Sequence, residues 1–530
     1  MDQPKSVRYT GYLDHQIMFF RRNTLSWADD RWPLWNQCVM AFNFQIIQGG
    51  MGVGVSNWVL ARAVAQRGQL GVVSGTGIAT ILARRLQQGD VGGHMTRAAA
   101  AFPTQALVRR VWECYYVSGG IAPGTPFKSN PAPTIHFGRS LLELTVLAAF
   151  IEVFLAKEGH GGPVGINLLE KVQTTTLPCL FGAMLANVNY VLMGAGIPRF
   201  IPGVLDAMAR GQAADLRVDV QNATAEDDFS SRFDPATWGA NNLDGPTIPA
   251  TLQRPAFLAV VSSATLALTL ARKSNGRVDG FIVEGSVAGG HNAPPRGPLQ
   301  LSPGGEPIYG QRDIVDLQKI TEIGLPFYLA GGFSTPDQLS AARQLGAAGI
   351  QVGTAFAFCR ESGIRDDLKT QVLQSVQAGR AEVFTDPLAS PTGFPFKVLQ
   401  LPQSLSSADM YARRTRRCDL GYLREIYRRH DGQAGYRCAA EPVETYMDKG
   451  GLQSHTVGRK CLCNALFATV GLGQTDAAGI CEPPIVTAGD DVAQISRYLR
   501  PGSTSYSAAD VLDFILAPSS PPMVHDCPAS

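Results

Sequence analysis

Residues 280–291 read GFIVEGSVAGGH: a short apolar run, Gly280 to Glu284, that breaks into a glycine-rich turn carrying His291. Comparable runs, each stopped by glycine or a small polar residue, lie at Phe44 to Gln48, Leu70 to Ser74, Val164 to Leu168, Tyr190 to Met193, Phe257 to Ser262, Pro326 to Ala330 and Gly349 to Val352. Segments of helical periodicity separate them, which is the pattern of repeated β-α units around a parallel sheet. The runs are almost continuously hydrophobic, as strands buried on both faces must be, and lack the polar alternation of an antiparallel sandwich. Eight such units predict an α/β fold of the (β/α)8 TIM barrel class.

Outward from the runs, Asn57 to Arg67 reads as a helix opening after Ser56 as N-cap, and Pro336 to Leu345 as one opening at Thr335-Pro336 and ending at Gly346. The expected organisation is an N-terminal segment 1–43, a barrel over 44–358, and a C-terminal cap or tail over 359–530 that wraps the barrel and frays near Ser519. Two connections, about 75–161 and 209–254, are too long for simple loops and are expected to be insertions or lids. The first holds a polar Gly/Pro-rich stretch, Ser118 to Pro133, and the second an acidic, Asn-rich stretch, Gln221 to Asp244.

The chain has 530 residues, 45% hydrophobic and 17% charged, with 56 glycines and 34 prolines, which fits a globular protein and excludes disorder or collagen. Lys and Arg number 46 against 44 Asp and Glu, so no field that would gather nucleic acid or an anionic membrane is implied, and the expected ligand is small. Ten cysteines in no dense framework read as reduced thiols of a cytoplasmic protein. The N-terminal apolar run Ile17 to Phe20 is too short for a secretory signal. Leu141 to Ala156 is interrupted by Glu143 and Glu152 and reads as a buried helix, not a membrane span.

Barrel chemistry sits at the carboxyl ends of the strands. There the sequence offers Gly49, Gly50, Met51 and Gly52 after the first run, Gly289, Gly290 and His291 after the sixth, Gly331 and Gly332 after the seventh, and Gly353 and Thr354 after the eighth. Glycine lets backbone N–H groups approach a ring or phosphate, so a large planar phosphorylated ligand accounts for all four clusters; singly, each glycine also suits a plain turn. Loops after the last two strands commonly form the phosphate site, which assigns it to Gly331, Gly332, Gly353 and Thr354. A dinucleotide fingerprint is rejected: glycines 50, 52 and 54 have the wrong spacing, and the second strand ends in Ser74-Gly75 without an acid.

His291, with an ordinary pKa near 6.5, is the candidate base; alone it would read as a loop histidine fixing the backbone. Glu284 is a ring or ribityl contact or else a buried, paired carboxylate. Asn167 bonds a flavin edge or else satisfies neighbouring backbone. Lys171 sets positive charge near a reduced ring or else is an exposed lysine at a helix start. In the tail, Cys418, Cys438, Cys461 and Cys463, with His430 and His455 between them, are weak candidates for zinc or an iron-sulfur cluster. Without paired C-x-x-C spacing, unligated buried thiols are the favoured reading.

FQIIQGGMGVGVSNW, GFIVEGSVAGGHNAPPRG, YLAGGFSTPDQL and GIQVGTAFAFCRES together resemble the nitronate monooxygenase (2-nitropropane dioxygenase) family of FMN-dependent barrel enzymes, over Ile46 to about Arg360. Val191 to Asp206 and Thr385 to Lys397 resemble the related enoyl reductases of polyketide and polyunsaturated-fatty-acid synthases equally well. The resemblance implies an FMN-dependent oxidoreductase with the Gly49 to Gly52 segment against the isoalloxazine, the two glycine pairs on the phosphate, and His291 as active-site base. The implied reaction takes nitronates or nitroalkanes, with oxygen, to a carbonyl compound and nitrite. The alternative is NAD(P)H-dependent enoyl reduction, and a third reading is a catalytically silent flavin subunit docked on a synthase. The implied partners are a small-molecule substrate and oxygen, with a synthase or a second copy compatible. Two departures stand out: PLWNQCVMAFNF before the first strand, and Asn292 after His291, where the short enzymes more often carry glycine.

Overall fold

The computed structural model describes residues 42–240, 251–476 and 478–518. Most of the N-terminal segment, the end of the second long connection and the fraying near Ser519 lie outside the described residues.

All eight expected runs form strands of one parallel sheet: β1 (Ile46–Gln48), β2 (Gly71–Ser74), β3 (Val164–Leu169), β4 (Tyr190–Gly194), β7 (Ala256–Val261), β8 (Gly280–Glu284), β9 (Phe327–Ala330) and β10 (Gly349–Val352). Between β4 and β7, β5 (Ala214–Arg217) and β6 (Ser230–Phe233) form a separate antiparallel pair. The sheet order is β1-β10-β9-β8-β7-β4-β3-β2, and a parallel bridge from Ile47 to Leu70 joins its two ends into a barrel.

Alternate residues of each strand serve different cores, which explains the unbroken hydrophobicity. Tyr190 and Leu192 of β4 point inward with Ile47, Val72, Leu258, Ile282 and Tyr328, whereas Val191 and Met193 pack outward beneath the helices. Aromatic rings close the amino end: Phe44 stacks on Tyr328 at 5.3 Å and meets Tyr190 edge-on at 5.3 Å. Space for a ligand is therefore left at the carboxyl ends.

Helix Trp58–Ala65 is capped by Asn57, whose side chain accepts from the Leu60 N–H at 2.9 Å, and not by Ser56. The Ser56 hydroxyl is engaged elsewhere, donating to Gly49 O at 2.8 Å and accepting from Met51 N at 2.9 Å. Thr335 caps Pro336–Gln344 as expected, accepting from Gln338 N. Residues 75–161 hold four helices, of which Arg139–Lys157 packs on Trp58–Ala65 and on Thr176–Leu185 in the outer ring. This long helix contains the apolar run 141–156, and its two acids are paired: Glu143 with Arg110 and Arg139, Glu152 with Arg85 and the Trp58 N–H. No helix among the described residues is long and apolar enough to cross a membrane.

After residue 358 the chain forms two hairpins, β11 (Val383–Asp386) with β12 (Phe396–Leu399) and β13 (Glu425–Arg428) with β14 (Ala434–Arg437), plus short helices. This region is fastened to the barrel mouth: Gly290 N donates to Thr487 Oγ1 at 2.8 Å, Lys397 N to Gly290 O at 2.9 Å and Asp490 N to Val287 O at 3.1 Å.

Candidate active site

A cavity of about 240 Å³ opens at the carboxyl ends of the strands. Gly49, Gly50, Met51, Gly52, Asn167, Glu284, Gly289, Gly290, His291, Gly331, Gly332, Gly353 and Thr354 all line it. Residues from five different strand ends, 305 positions apart in sequence at the extremes, thus meet around one space at the mouth of the barrel.

The Gly49–Gly52 loop is anchored from beneath. Gly49 N donates to Val352 O at 2.8 Å, and Gln48 Nε2 donates to Ser56 Oγ at 2.8 Å while its Oε1 accepts from Val72 N at 3.0 Å. Asn167 donates from Nδ2 to Gly50 O at 3.0 Å, so that amide hydrogen supports the loop, and Asn167 lines the cavity at the same time. At the opposite side Gly331 and Gly332 adopt successive left-handed conformations, φ +95° and +75°, which free their N–H groups from strand pairing and suit an anion cradle. Gly353 leaves open space: a Cβ there would have only Met51 Sδ, at 3.9 Å, within reach. An FMN, which the resemblance implies, would find open space beside Met51 for its ring and open backbone at 331–332 and 353–354 for its phosphate.

Sequence reading missed the C-terminal contribution. Thr487, Ala488, Gly489 and Asp491 complete the wall, and Gly489 N donates to Thr354 Oγ1 at 3.0 Å. Burial raises the Asp491 carboxyl, which also bonds Thr354. Tyr422, Leu423, Cys463, Leu466 and Phe467 supply further apolar lining. The one sequence signal for this segment, the small-residue run Thr487-Ala488-Gly489, has no periodicity to mark it.

His291 is held by its backbone, through a bridge to Phe396, and by its ring, with Nε2 at 2.7 Å from Ser390 Oγ and the Phe396 ring edge-on at 4.8 Å. Burial, together with the Lys171 charge, lowers its pKa to about 3 rather than leaving it near 6.5. The imidazole is therefore neutral at physiological pH and free to accept a proton. Glu284 makes no ion pair among the described residues, and burial lifts its pKa to about 7. It is thus not the paired carboxylate of the simpler reading. Lys171 is not an exposed helix-start lysine either: its Nζ is buried and lies over the Phe394 ring.

These two shifts give a pH signature. His291 binds a proton more readily unfolded, at about 6.5, than folded, at about 3, so its contribution to stability is full above 6.5 and lost as pH falls toward 3. Glu284 runs the other way: its contribution is full below 4.5 and lost as pH rises through about 7. The urea midpoint of His291→Gln is expected to lose less than wild type between pH 6 and pH 4, and that of Glu284→Gln to lose less between pH 5 and pH 8. Parallel curves for variant and wild type would contradict the corresponding assignment.

Cys438 and Cys461 are buried together, with Cys418 and Cys463 packed against them. A hydrogen bond between Cys418 and Cys438 lowers the first thiol and raises the second. Among the described residues no three metal-binding side chains are arranged to hold an ion.

Residues 251–385 match the family model described as nitronate monooxygenase. Among curated proteins, the chain is 31% identical over 121 residues to a probable nitronate monooxygenase of Staphylococcus haemolyticus, covering 23% of this chain and 32% of that protein. It is 29% identical over 172 residues to one of Staphylococcus saprophyticus, covering 31% and 47%. The matched part therefore spans about a third to a half of these relatives. A solved structure of nitroalkane oxidase from Streptomyces ansochromogenes aligns over 90% of this chain and 96% of its own at 15% identity, with a TM-score of 0.44. The resemblance read from the motifs is thus found independently over residues 251–385, from the approach to β7 into β11.

Proposed function

We propose that the protein is an FMN-dependent oxidoreductase that oxidises nitronates, with oxygen, to a carbonyl compound and nitrite. The observation that carries this reading is the convergence of the glycine clusters after β1, β8, β9 and β10 and of His291 on one cavity. The family match over 251–385 supports the reaction class. Bound FMN would supply two-electron chemistry and reactivity toward oxygen.

The chain's own residues supply the rest. The Gly331-Gly332 and Gly353-Thr354 backbone would hold the phosphate, and the Gly49–Gly52 loop, stiffened by Gln48, Ser56 and Asn167, would support the ring. Apolar Val260, Phe396, Leu466 and Phe467 exclude water from the reacting face. His291, its Nε2 held by Ser390, would accept a substrate proton at its other ring nitrogen, Nδ1, where one must leave. An imidazole lowered to about 3 is a weak base, which favours a substrate that arrives already deprotonated, the nitronate, over the neutral nitroalkane.

Oxygen consumption by FMN-loaded protein tests the proposal. The expected result is rapid uptake with ethylnitronate, nitrite release and no requirement for NADPH. NADPH oxidation dependent on an enoyl thioester, with nitronate inert, would overturn it in favour of the enoyl reductase.

A further inference from the structure

Leu423, Cys463 and Leu466, all from the C-terminal region, line the cavity without being fully buried. Cys463 and Leu466 stand three positions apart on the helix Leu462–Thr469 and so share one of its faces. Leu423 and Leu466 join two apolar clusters, packing with Phe396 and Ile485 on one side and with Val53, Tyr422 and Phe467 on the other. Phe396 is the ring that meets His291 edge-on at 4.8 Å, so an apolar wall starts at the imidazole and continues along Leu466 and Leu423. Its backing is held in place. The buried Arg84 guanidinium lies over the Phe467 ring at 5.1 Å, and the Tyr422 hydroxyl is 2.9 Å from Thr80 Oγ1.

The polar atoms along this wall are already engaged within the protein. The Tyr422 hydroxyl meets Thr80, the Thr469 hydroxyl donates to Ile485 O at 2.6 Å, and the Tyr422 and Leu423 N–H groups donate to the Cys463 thiol. None of these wall residues carries a charge. A ligand group lying here gains by leaving water, and each methylene so removed is worth about fourfold in affinity. We propose that Leu423, Cys463 and Leu466 form a pocket for the substrate chain and make the enzyme selective for nitronates that carry an aliphatic chain of several carbons. The reacting carbon lies at His291 and the chain along the wall. This deepens the function proposed above and rests on it for the reaction. The three residues lie outside 251–385, the segment matched to nitronate monooxygenase, so chain preference is set by a different part of the protein.

Steady-state oxidation of ethylnitronate and hexylnitronate by FMN-loaded protein tests the inference. Hexylnitronate is expected to have the higher kcat/KM by about tenfold or more, the difference lying in KM. Leu466→Trp, which fills the pocket, should cut the hexyl-to-ethyl ratio by about tenfold, and Leu466→Met, of similar volume, should hold it within about threefold. Leu423→Ala removes lining instead of adding bulk and should lower the same ratio by about fivefold, so the inference does not depend on the larger side chain folding. A reading free of turnover comes from calorimetric titration with hexanamide and acetamide. Hexanamide should bind about tenfold tighter, with the more negative heat-capacity change, and Leu466→Trp should narrow the gap. Variants that lose FMN affinity while the hexyl-to-ethyl ratio stays at its wild-type value would overturn the inference, because the wall would then serve the cofactor. Equal kcat/KM for the two nitronates, with both amides bound alike, would overturn it and leave the proposed reaction standing. A protein that prefers hexanamide but oxidises no nitronate would keep the pocket and sink the reaction.

Discussion

Gly353→Val is expected to fold, to melt near the wild-type temperature and to be purified without flavin. The backbone at Gly353, φ −106° and ψ −71°, is open to an L-residue, and the space a side chain would enter contains nothing closer than Met51 Sδ at 3.9 Å. The β-carbon therefore meets only Met51 Sδ, and the side chain fills the cradle instead. Overpacking costs about 2 kcal/mol, which at 1.4 kcal/mol per tenfold lowers FMN affinity by roughly thirtyfold. Fluorescence titration of free FMN with each protein measures the ratio. Equal affinity would show that the phosphate lies elsewhere. Gly50→Ala is the poorer choice, because its Cβ would fall 2.1 Å from Asn167 Cβ and disturb the loop itself.

His291→Ala is the second large effect. Turnover of neutral nitroethane should fall by about 10²-fold or more, the usual worth of a positioned base, while oxidation of preformed ethylnitronate changes by less than about fivefold and flavin content not at all. The split follows from where the proton is: the nitroalkane must surrender one to the imidazole, whereas the nitronate has none to give. Ser390→Ala, which removes the 2.7 Å contact that orients the ring along with the bonds of Ser390 to Thr392, should show the same split in weaker form. Normal nitroethane turnover in His291→Ala would mean that another group takes the proton; Glu284, with its carboxyl near 7 in the same cavity, would be the next residue to test.

The barrel was legible because each strand carries two apolar faces. Tyr190 and Leu192 inward, Val191 and Met193 outward, leave an uninterrupted run, and the glycine that follows marks where the chain leaves the sheet. Helix starts were legible to within one residue. Ser56 and Asn57 are both good caps, and only the packing shows the serine hydroxyl already engaged with Gly49 O. The burial of Lys171 was not legible, since Phe394 covers it from 223 positions away and nothing near 171 signals that contact. The wall from Thr487 to Asp491 was invisible for the same reason. Its residues are small and aperiodic, and their role comes from hydrogen bonds to Gly290, Val287 and Thr354 across the mouth. The thiol patch shows the limit of spacing arguments: Cys418 and Cys438, twenty positions apart, share a hydrogen bond that no cysteine motif announces.

The most direct test is the absorption spectrum of the purified protein after incubation with FMN and removal of the excess. The account predicts a yellow protein with the band of bound oxidised flavin near about 450 nm and one flavin per chain. A folded protein that stays colourless and lets all the FMN pass through would contradict it.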